Sequence, residues 1–198
     1  MQMTSSRACA LVLSSWIALV SNGAFAQQGN QAQSAAPPPS QHVESVNFDH
    51  WVVTCQDGGA GGRMCVATLR VLGSDGKQAI ANWQIGYSKD RRLVSAFQVS
   101  PSLTAKTSDN KTSTGVSTKN GAEMKLGASA PRRLVYEGCT PQLCEAITLA
   151  DDAFIKDASG AATTTVTVST LDGTSIPLTF ESKGLDKAVA AVVARKIK

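Results

Sequence analysis

The spacing of apolar and polar residues predicts a chain built mostly from short β-strands. Strand-like segments cover residues 46–55, 63–72, 78–87 and 92–99. Apolar and polar residues alternate over residues 92–99, as they do in a strand with one buried face. Residues 46–55 instead carry apolar bulk on both faces, which predicts a strand that is covered on both sides.

A β-hairpin is predicted near the C-terminal end of this pattern. Residues 163–170 (TTTVTVST) consist almost entirely of residues favoured in strands. Asp172 and Gly173 then form a hairpin turn signal, and residues 175–180 return. Because proline cannot donate a ladder hydrogen bond, Pro177 places the returning strand at a sheet edge or at a bulge.

Shorter strands are predicted at residues 124–126, 133–136 and 145–148. The polar, threonine- and serine-rich stretch 102–121 predicts a long exposed hairpin or loop. With about ten strands in all, the chain is predicted to be mostly β, a sandwich or barrel-like fold in a single domain.

Two helical segments interrupt the strand pattern. Residues 151–157 predict a short helix capped by Asp151 or Asp152. The last segment, from residue 184, predicts a C-terminal amphipathic helix. Its apolar face comprises Leu185, Val189, Val192 and Val193, and its basic last turn holds Arg195, Lys196 and Lys198.

The N-terminus is typical of an export signal. Arg7 precedes an apolar run over residues 10–20, and residues 24–26 (AFA) match a cleavage site of the A-x-A type. Residues 1–26 are therefore predicted to be a signal peptide, removed together with Cys9. The mature protein is predicted to be periplasmic or secreted.

A linker is predicted to follow the signal peptide. Residues 27–44 are rich in Gln, Ala, Ser and Pro and have no apolar pattern that could offset the entropy of ordering. They are predicted to be a disordered spacer. The β-rich domain then covers residues 45–198.

Composition and charge exclude several classes of function. The chain has 198 residues, 42% hydrophobic and 17% charged, which is typical of a globular domain. Its net charge is +4, but lysines and arginines are adjacent only in pairs such as Arg91-Arg92, which we interpret as solvated loop charges. Nothing resembles a phosphate-tracking stripe, so we expect no nucleic-acid partner. Beyond the signal, no apolar run approaches the ~18 residues of a transmembrane helix.

Four cysteines remain in the mature chain and form two close pairs, Cys55 with Cys65 and Cys139 with Cys144. In an oxidising compartment, such an even set predicts disulfides and not metal ligands. Four cysteines allow three connectivities. We favour the local pairs because each closes a short turn.

The sequence offers little for catalysis. Of the two histidines, only His50 lies in the predicted domain, where we interpret it as a partly buried strand residue. Motifs of the G-x-S-x-G and H-E-x-x-H types are absent. We therefore predict no catalytic residue, no metal and no cofactor. The alternative is an enzyme with a site formed by His50, Asp49 and the carboxylates near residue 151.

Trp51 and Trp83 are interpreted first as core residues. The alternative is that they are exposed anchors for a partner, because tryptophan is enriched where interfaces derive most of their affinity.

Several of these residues together resemble a known family. An F-x-x-W-x-V-x-C segment precedes the second cysteine, a Y-x-x-C segment precedes the fourth, and a G-L pair begins the last helix. In this order they resemble the invasion-associated locus B family of exported alphaproteobacterial proteins, over roughly residues 46–193. The stretch around residues 102–120 is longer than is usual in that family. The matching residues are Phe48, Trp51, Val53, Cys55, Cys65, Tyr136, Cys139, Cys144, Ala146, Gly184, Leu185 and Ala188.

The resemblance implies export, disulfides and a β fold, and it carries over no catalytic residues. Founding members are linked to the invasion of host cells, erythrocytes among them. We therefore expect a non-enzymatic binding module of the cell envelope or host surface, with a protein or cell-surface partner. Besides the enzyme, an alternative is a periplasmic folding or assembly factor that offers the edge of the Pro177 strand to other proteins.

Overall fold

The structure is a computed structural model, which describes residues 42–57, 62–73, 76–106 and 110–195. The predicted signal peptide, most of the predicted linker, residues 58–61 and residues 196–198 lie outside the described residues. The first strand begins at Val43, so the linker predicted for residues 27–44 overlaps the fold at its last two positions.

Thirteen strands and two helices lie in the described part of the chain. The strands are β1 (Val43–Phe48), β2 (Trp51–Asp57), β3 (Arg63–Leu72), β4 (Ala79–Tyr87), β5 (Leu93–Val99), β6 (Thr104–Lys106), β7 (Thr112–Thr114), β8 (Ala122–Leu126), β9 (Arg132–Leu134), β10 (Tyr136–Cys139), β11 (Cys144–Leu149), β12 (Thr163–Ser169) and β13 (Ser175–Glu181). The helices are α1 (Asp152–Gly160), between β11 and β12, and α2 (Leu185–Ala194), after β13.

The strands form a sandwich-like arrangement, as predicted. Seven strands make the larger sheet, in the order β1-β2-β3-β4-β5-β11-β10, and four make the smaller one, in the order β13-β12-β8-β9. The paired strands are antiparallel. β6 and β7 form a separate hairpin within the predicted loop. That stretch is less exposed than predicted, because Leu103 and Val116 are buried in the core.

The single strand predicted over residues 46–55 is wrong in two respects. A turn at Asp49 and His50 divides it into β1 and β2, and Asp49 adopts a left-handed conformation with φ of 53°. β2 is also covered on one side only: Trp51 and Val53 are buried, but Val52 between them is 39% exposed.

An aromatic cluster joins the two sheets. Trp83 of β4 has its ring centroid 5.0 Å from that of Trp51 on β2 and 5.8 Å from that of Phe180 on β13. It also meets Phe154 of α1, at 6.4 Å. All these pairs are edge-to-face, the geometry that aromatic rings prefer. The indole N–H of Trp83 donates to Ser95 Oγ at 2.8 Å, so its polar atom is satisfied inside the core.

Both predicted helices are present, with two corrections to α2. Asp151 caps α1 by accepting a hydrogen bond from the Phe154 N–H, as predicted. α2 buries Leu185, Val189 and Val192, but Val193 is 52% exposed and does not belong to the apolar face. The helix also ends at Ala194, with Arg195 in a left-handed C-cap, so Arg195 is not in the last turn as predicted. Lys196 and Lys198 of the predicted basic turn lie outside the described residues.

Both disulfides join directly opposed residues of adjacent antiparallel strands. Cys55 on β2 is bonded to Cys65 on β3, and Cys139 on β10 to Cys144 on β11. These are the local pairs favoured from the sequence. Only Cys139 is exposed.

The exposure of Cys139 predicts the order in which the disulfides open. We expect a mild reductant to open Cys139–Cys144 first in the native protein, because its attacked sulfur is accessible to the thiolate. Alkylation followed by peptide mass spectrometry measures this order. Full reduction should lower the free energy of unfolding by about 2–3 kcal/mol per bridge, from the entropy returned to the unfolded chain. If Cys55–Cys65 opened first, that result would contradict the burial of Cys55 and Cys65 in the structure.

Gly184 allows the start of α2 to pack directly against the β1–β2 turn. Its φ is 87°, and a Cβ built on it would overlap the carbonyl oxygen of Phe48. Gly173 in the β12–β13 turn has a similar φ of 83°, but a Cβ there meets open space.

These two glycines allow a matched test of the packing at the helix start. Gly173→Ala should cost about 1–2 kcal/mol of unfolding free energy, the price of a left-handed alanine. Gly184→Ala should cost more, because the Phe48 backbone must also move. Thermal unfolding measures both, at about 2–4 °C per kcal/mol for a domain of this size. Equal losses would show that the contact with Phe48 is not formed.

Asp172 fixes the β12–β13 turn and ties it to β7. Its carboxylate accepts hydrogen bonds from Thr170 Oγ1, from the Thr174 N–H at 3.1 Å and from Ser113 Oγ at 2.9 Å. The hydrogen bond from Thr170, then those from Thr174 and Ser113, hold the pKa of Asp172 far below its usual range.

This lowered pKa predicts how Asp172→Asn depends on pH. A carboxyl whose pKa is depressed by folding stabilises the protein above its unfolded pKa of about 3.9, and this contribution disappears as pH falls toward the folded pKa. The wild type should therefore exceed Asp172→Asn in stability at neutral pH, and the gap should shrink below about pH 4. Urea unfolding across pH 2–7 measures it, and a gap that is independent of pH would contradict the assignment.

Candidate functional site

The structure places His50 in the exposed β1–β2 turn, not within a strand as predicted. His50 Nε2 lies 2.7 Å from a carboxylate oxygen of Glu181, and Lys183 Nζ lies 3.0 Å from Asp49 Oδ1. The hydrogen bond from Lys183 lowers the pKa of Asp49. These two pairs fasten the turn to the end of β13 and the segment before α2.

The carboxylates near residue 151 have structural partners of their own. Asp151 caps α1, and Asp157 Oδ2 lies 3.5 Å from Arg132. Neither forms an ion pair with His50 among the contacts of the described residues. Across the same residues, no group of three or more His, Cys, Asp or Glu side chains could hold a metal ion.

The two tryptophans are not surface anchors. Trp51 and Trp83 are both 0% exposed, at the centre of the aromatic cluster. The core interpretation is confirmed, and the alternative that they contact a partner is wrong for the folded domain, because their inward-facing strand positions are covered by the second sheet and the helices.

Pro177 lies on an edge strand, as predicted. β13 pairs with β12 on one side only and ends the order of the smaller sheet. The residue opposite Pro177 is Thr167.

The outer face of the larger sheet carries an apolar depression, which we call the trough. Its volume is about 600 Å³. Each of its floor residues comes from a central strand and points away from the core, in phase with exposed neighbours such as Val52. The floor comprises Val66, Gln84, Gly86, Val94, Ala96 and Ile147, of which only Gln84 has a polar side chain.

A second depression, which we call the basic notch, adjoins the trough and has a volume of about 470 Å³. Met64, 51% exposed, and Val66 contribute apolar surface to it. The remaining walls include four cationic side chains and no acidic one among the described residues. These cations are Arg63, Lys89, Arg91 and Arg195.

Local geometry explains how the chain brings these cations together. The β4–β5 turn is closed by the N–H of Arg91 donating to the Ser88 carbonyl at 3.0 Å and the N–H of Ser88 donating to the Arg92 carbonyl at 2.9 Å. Arg91 takes a left-handed φ of 59° within this turn. β3 extends past the last β4 pair, Val66 with Gly86, so the notch opens where β4 turns away.

The four cations differ in how far they are neutralised. Arg63 pairs with Glu44 and lies 3.6 Å from Asp57. The guanidinium of Arg195 lies over the ring of Tyr87, 5.4 Å from its centroid, a cation–π contact that leaves the charge in place. Lys89 and Arg91 form no ion pair with any other described residue. The notch therefore carries uncompensated positive charge.

Sequence reasoning missed this site because its members are distant along the chain. Arg91 was interpreted as a solvated loop charge. The only signal was the apolar residue in the outward phase of several strands, as at Val52, Val66 and Val94. Only for residues 46–55 was such a residue interpreted, as coverage of the strand on both sides.

Comparison with known proteins supports the fold. A family model described as invasion associated locus B protein matches residues 51–193. The chain belongs to the invasion associated locus B family. The crystal structure of invasion associated protein b from Bartonella henselae superposes with a TM-score of 0.60 at 10% sequence identity, covering 76% of this chain and 96% of that one. At that identity the likeness concerns the fold alone. No curated protein matches the chain in sequence.

Within the invasion associated locus B region, residues 51–193, lie the whole trough and most of the notch; Arg195 follows just after it. Among the described residues, no helix has the length and apolarity needed to cross a bilayer.

Proposed function

We propose that this member of the invasion associated locus B family is an exported, non-enzymatic binding module that acts in the periplasm or outside the cell. The observation that carries the proposal is the trough with its adjoining notch. Together they form a solvent-exposed surface with a mostly apolar floor and unpaired cations at one end. The opposite face of the same sheet packs against the core.

Export is supported by the two disulfides and by the sequence of residues 1–26. Disulfides persist in oxidising compartments and are rare in the cytosol. An interaction at the cell envelope or with a host cell is supported by the family's description and by the name of the Bartonella henselae protein, which is called invasion associated.

The rival functions receive less support. An enzyme centred on His50 would need a second catalytic group beside the imidazole. In the structure, His50 instead pairs with Glu181 and helps to hold the β1–β2 turn against the end of β13. An assembly factor offering β13 would use an edge from which Pro177 removes one backbone donor, and proline on an edge strand usually discourages strand addition.

The binding role predicts that the outer face is required for surface binding. Val66→Gln combined with Val94→Gln should weaken binding of the labelled mature protein to bacterial envelope vesicles or to animal cells by about tenfold or more, since both residues lie in the trough floor and apolar contacts in the centre of a binding surface dominate affinity. Flow cytometry measures the binding to both surfaces.

A matched control is available at two exposed apolar residues that line neither the trough nor the notch. Val135 and Leu171 are both highly exposed, and Val135→Gln with Leu171→Gln makes the same kind of change with no change of charge. This control should bind as the wild type does. If the outer-face variant also binds normally, or if the wild type binds neither surface, the proposed function fails.

A further inference from the structure

We propose that the trough and the basic notch together bind one amphipathic anion, a single-chain carboxylate of the fatty-acid type. Its head meets Lys89, Arg91 and Arg195 in the notch, and its chain lies along the trough. This inference rests on the proposed function and deepens it by naming the class of ligand.

The two depressions share a wall. Val66, Tyr87, Ser88 and Lys89 line both of them. A ligand whose head lies in the notch can therefore place its chain over Val66 and into the trough. The combined surface is cationic at one end and has a mostly apolar floor at the other, the pattern of an amphipathic molecule.

A glycine near the end of β4 lets the Val66 side chain pack down onto the sheet. Gly86 has no positive φ, so its backbone does not require glycine. A Cβ at this position would lie 3.2 Å from Val66 Cγ2, so the isopropyl group of Val66 occupies the space above Gly86. With Val94 opposite Gly86 on β5, this part of the floor presents aliphatic carbons, which suit a methylene chain better than a polar peptide.

The charge of the notch selects an anionic head. Lys89 and Arg91 have no ion-pair partner among the described residues, and Arg195 is engaged only with the π face of Tyr87. A carboxylate can accept charge-assisted hydrogen bonds from guanidinium and ammonium groups, which are stronger than neutral ones.

The rim of the trough disfavours two other anionic partners. Asp90, Glu137 and Glu145 border the trough. These carboxylates would be repelled by an anionic membrane lying flat on the outer face, and also by an acidic peptide running along it. A ligand with one charged end and an uncharged body meets the cations and avoids the acids.

The first test is calorimetric titration of the mature protein with octanoate, decanoate and dodecanoate, each below the concentration at which it forms micelles. Affinity should rise by about two- to fourfold per added methylene, since each methylene gains free energy as it leaves water. Dodecyltrimethylammonium, with the same chain and the opposite charge, should bind at least about tenfold more weakly than dodecanoate.

Variants locate the site. Lys89→Glu with Arg91→Glu should reduce dodecanoate affinity by about tenfold or more, as two charge-assisted contacts become repulsions. The matched control, Lys119→Glu with Lys125→Glu, makes the same change of charge at exposed positions near β8 and should bind as the wild type does. Ala96→Gln places a neutral amide in the trough and should flatten the dependence on chain length.

Each outcome decides the proposal. It is overturned if the three carboxylates do not bind, if chain length has no effect, or if both charge variants lose affinity equally. It is also overturned if anionic phospholipid vesicles bind the protein and dodecanoate does not, which would indicate a membrane surface. If carboxylate binding is absent but the outer-face variant still loses binding to cells, the ligand class is wrong and the proposed function stands.

Discussion

The burial of Trp83 is the contact on which the rest of the structure depends. Its ring touches β2 through Trp51, β13 through Phe180 and α1 through Phe154, and its N–H binds Ser95 on β5. One side chain thus connects the larger sheet, the smaller sheet and a helix. Because the core is densely packed, these neighbours have little freedom to shift independently.

This core is built on one face of the larger sheet. The smaller sheet and α1 meet its inward aromatic residues, while the outward residues of β2 and β3, such as Val52 and Met64, are exposed. A sheet of this kind normally places polar residues on its solvent face. Here apolar residues occupy part of that face and form the trough, beside cations held by the β4–β5 turn. This departure from the usual pattern is what connects the architecture to the proposed binding role.

Much of the fold could be predicted from the sequence, because the signals were local. The turn residues at 172–173 fixed the β12–β13 hairpin, and Asp151 was recognisable as a helix cap. The close cysteine pairs indicated both disulfides. The turn at Asp49 escaped prediction because it contains neither glycine nor proline, and its left-handed residue is held by contacts with Lys183 and the start of α2.

The site was less predictable, since it depends on strand order. Val66, Gly86, Ala96 and Ile147 become neighbours only when β3, β4, β5 and β11 are adjacent in the sheet. Two strands joined by a short turn can be predicted as a hairpin from the sequence. The pairing of β11 with β5 has no such local signature, because it brings together residues about fifty positions apart. The interpretation of residues 46–55 as covered on both sides identified Val52 as an apolar outward residue but not its exposure.

Oxidative footprinting of methionine tests the one-sided sheet most directly. Met64 lies on the outer face of β3, and Met124 lies in the core on β8, 0% exposed. Because oxidation follows exposure, the native protein should form sulfoxide at Met64 well before Met124, and Met124 should react only as the domain unfolds. Similar rates at the two methionines, or a Met64 protected in the isolated protein, would contradict an outer face that is open for binding.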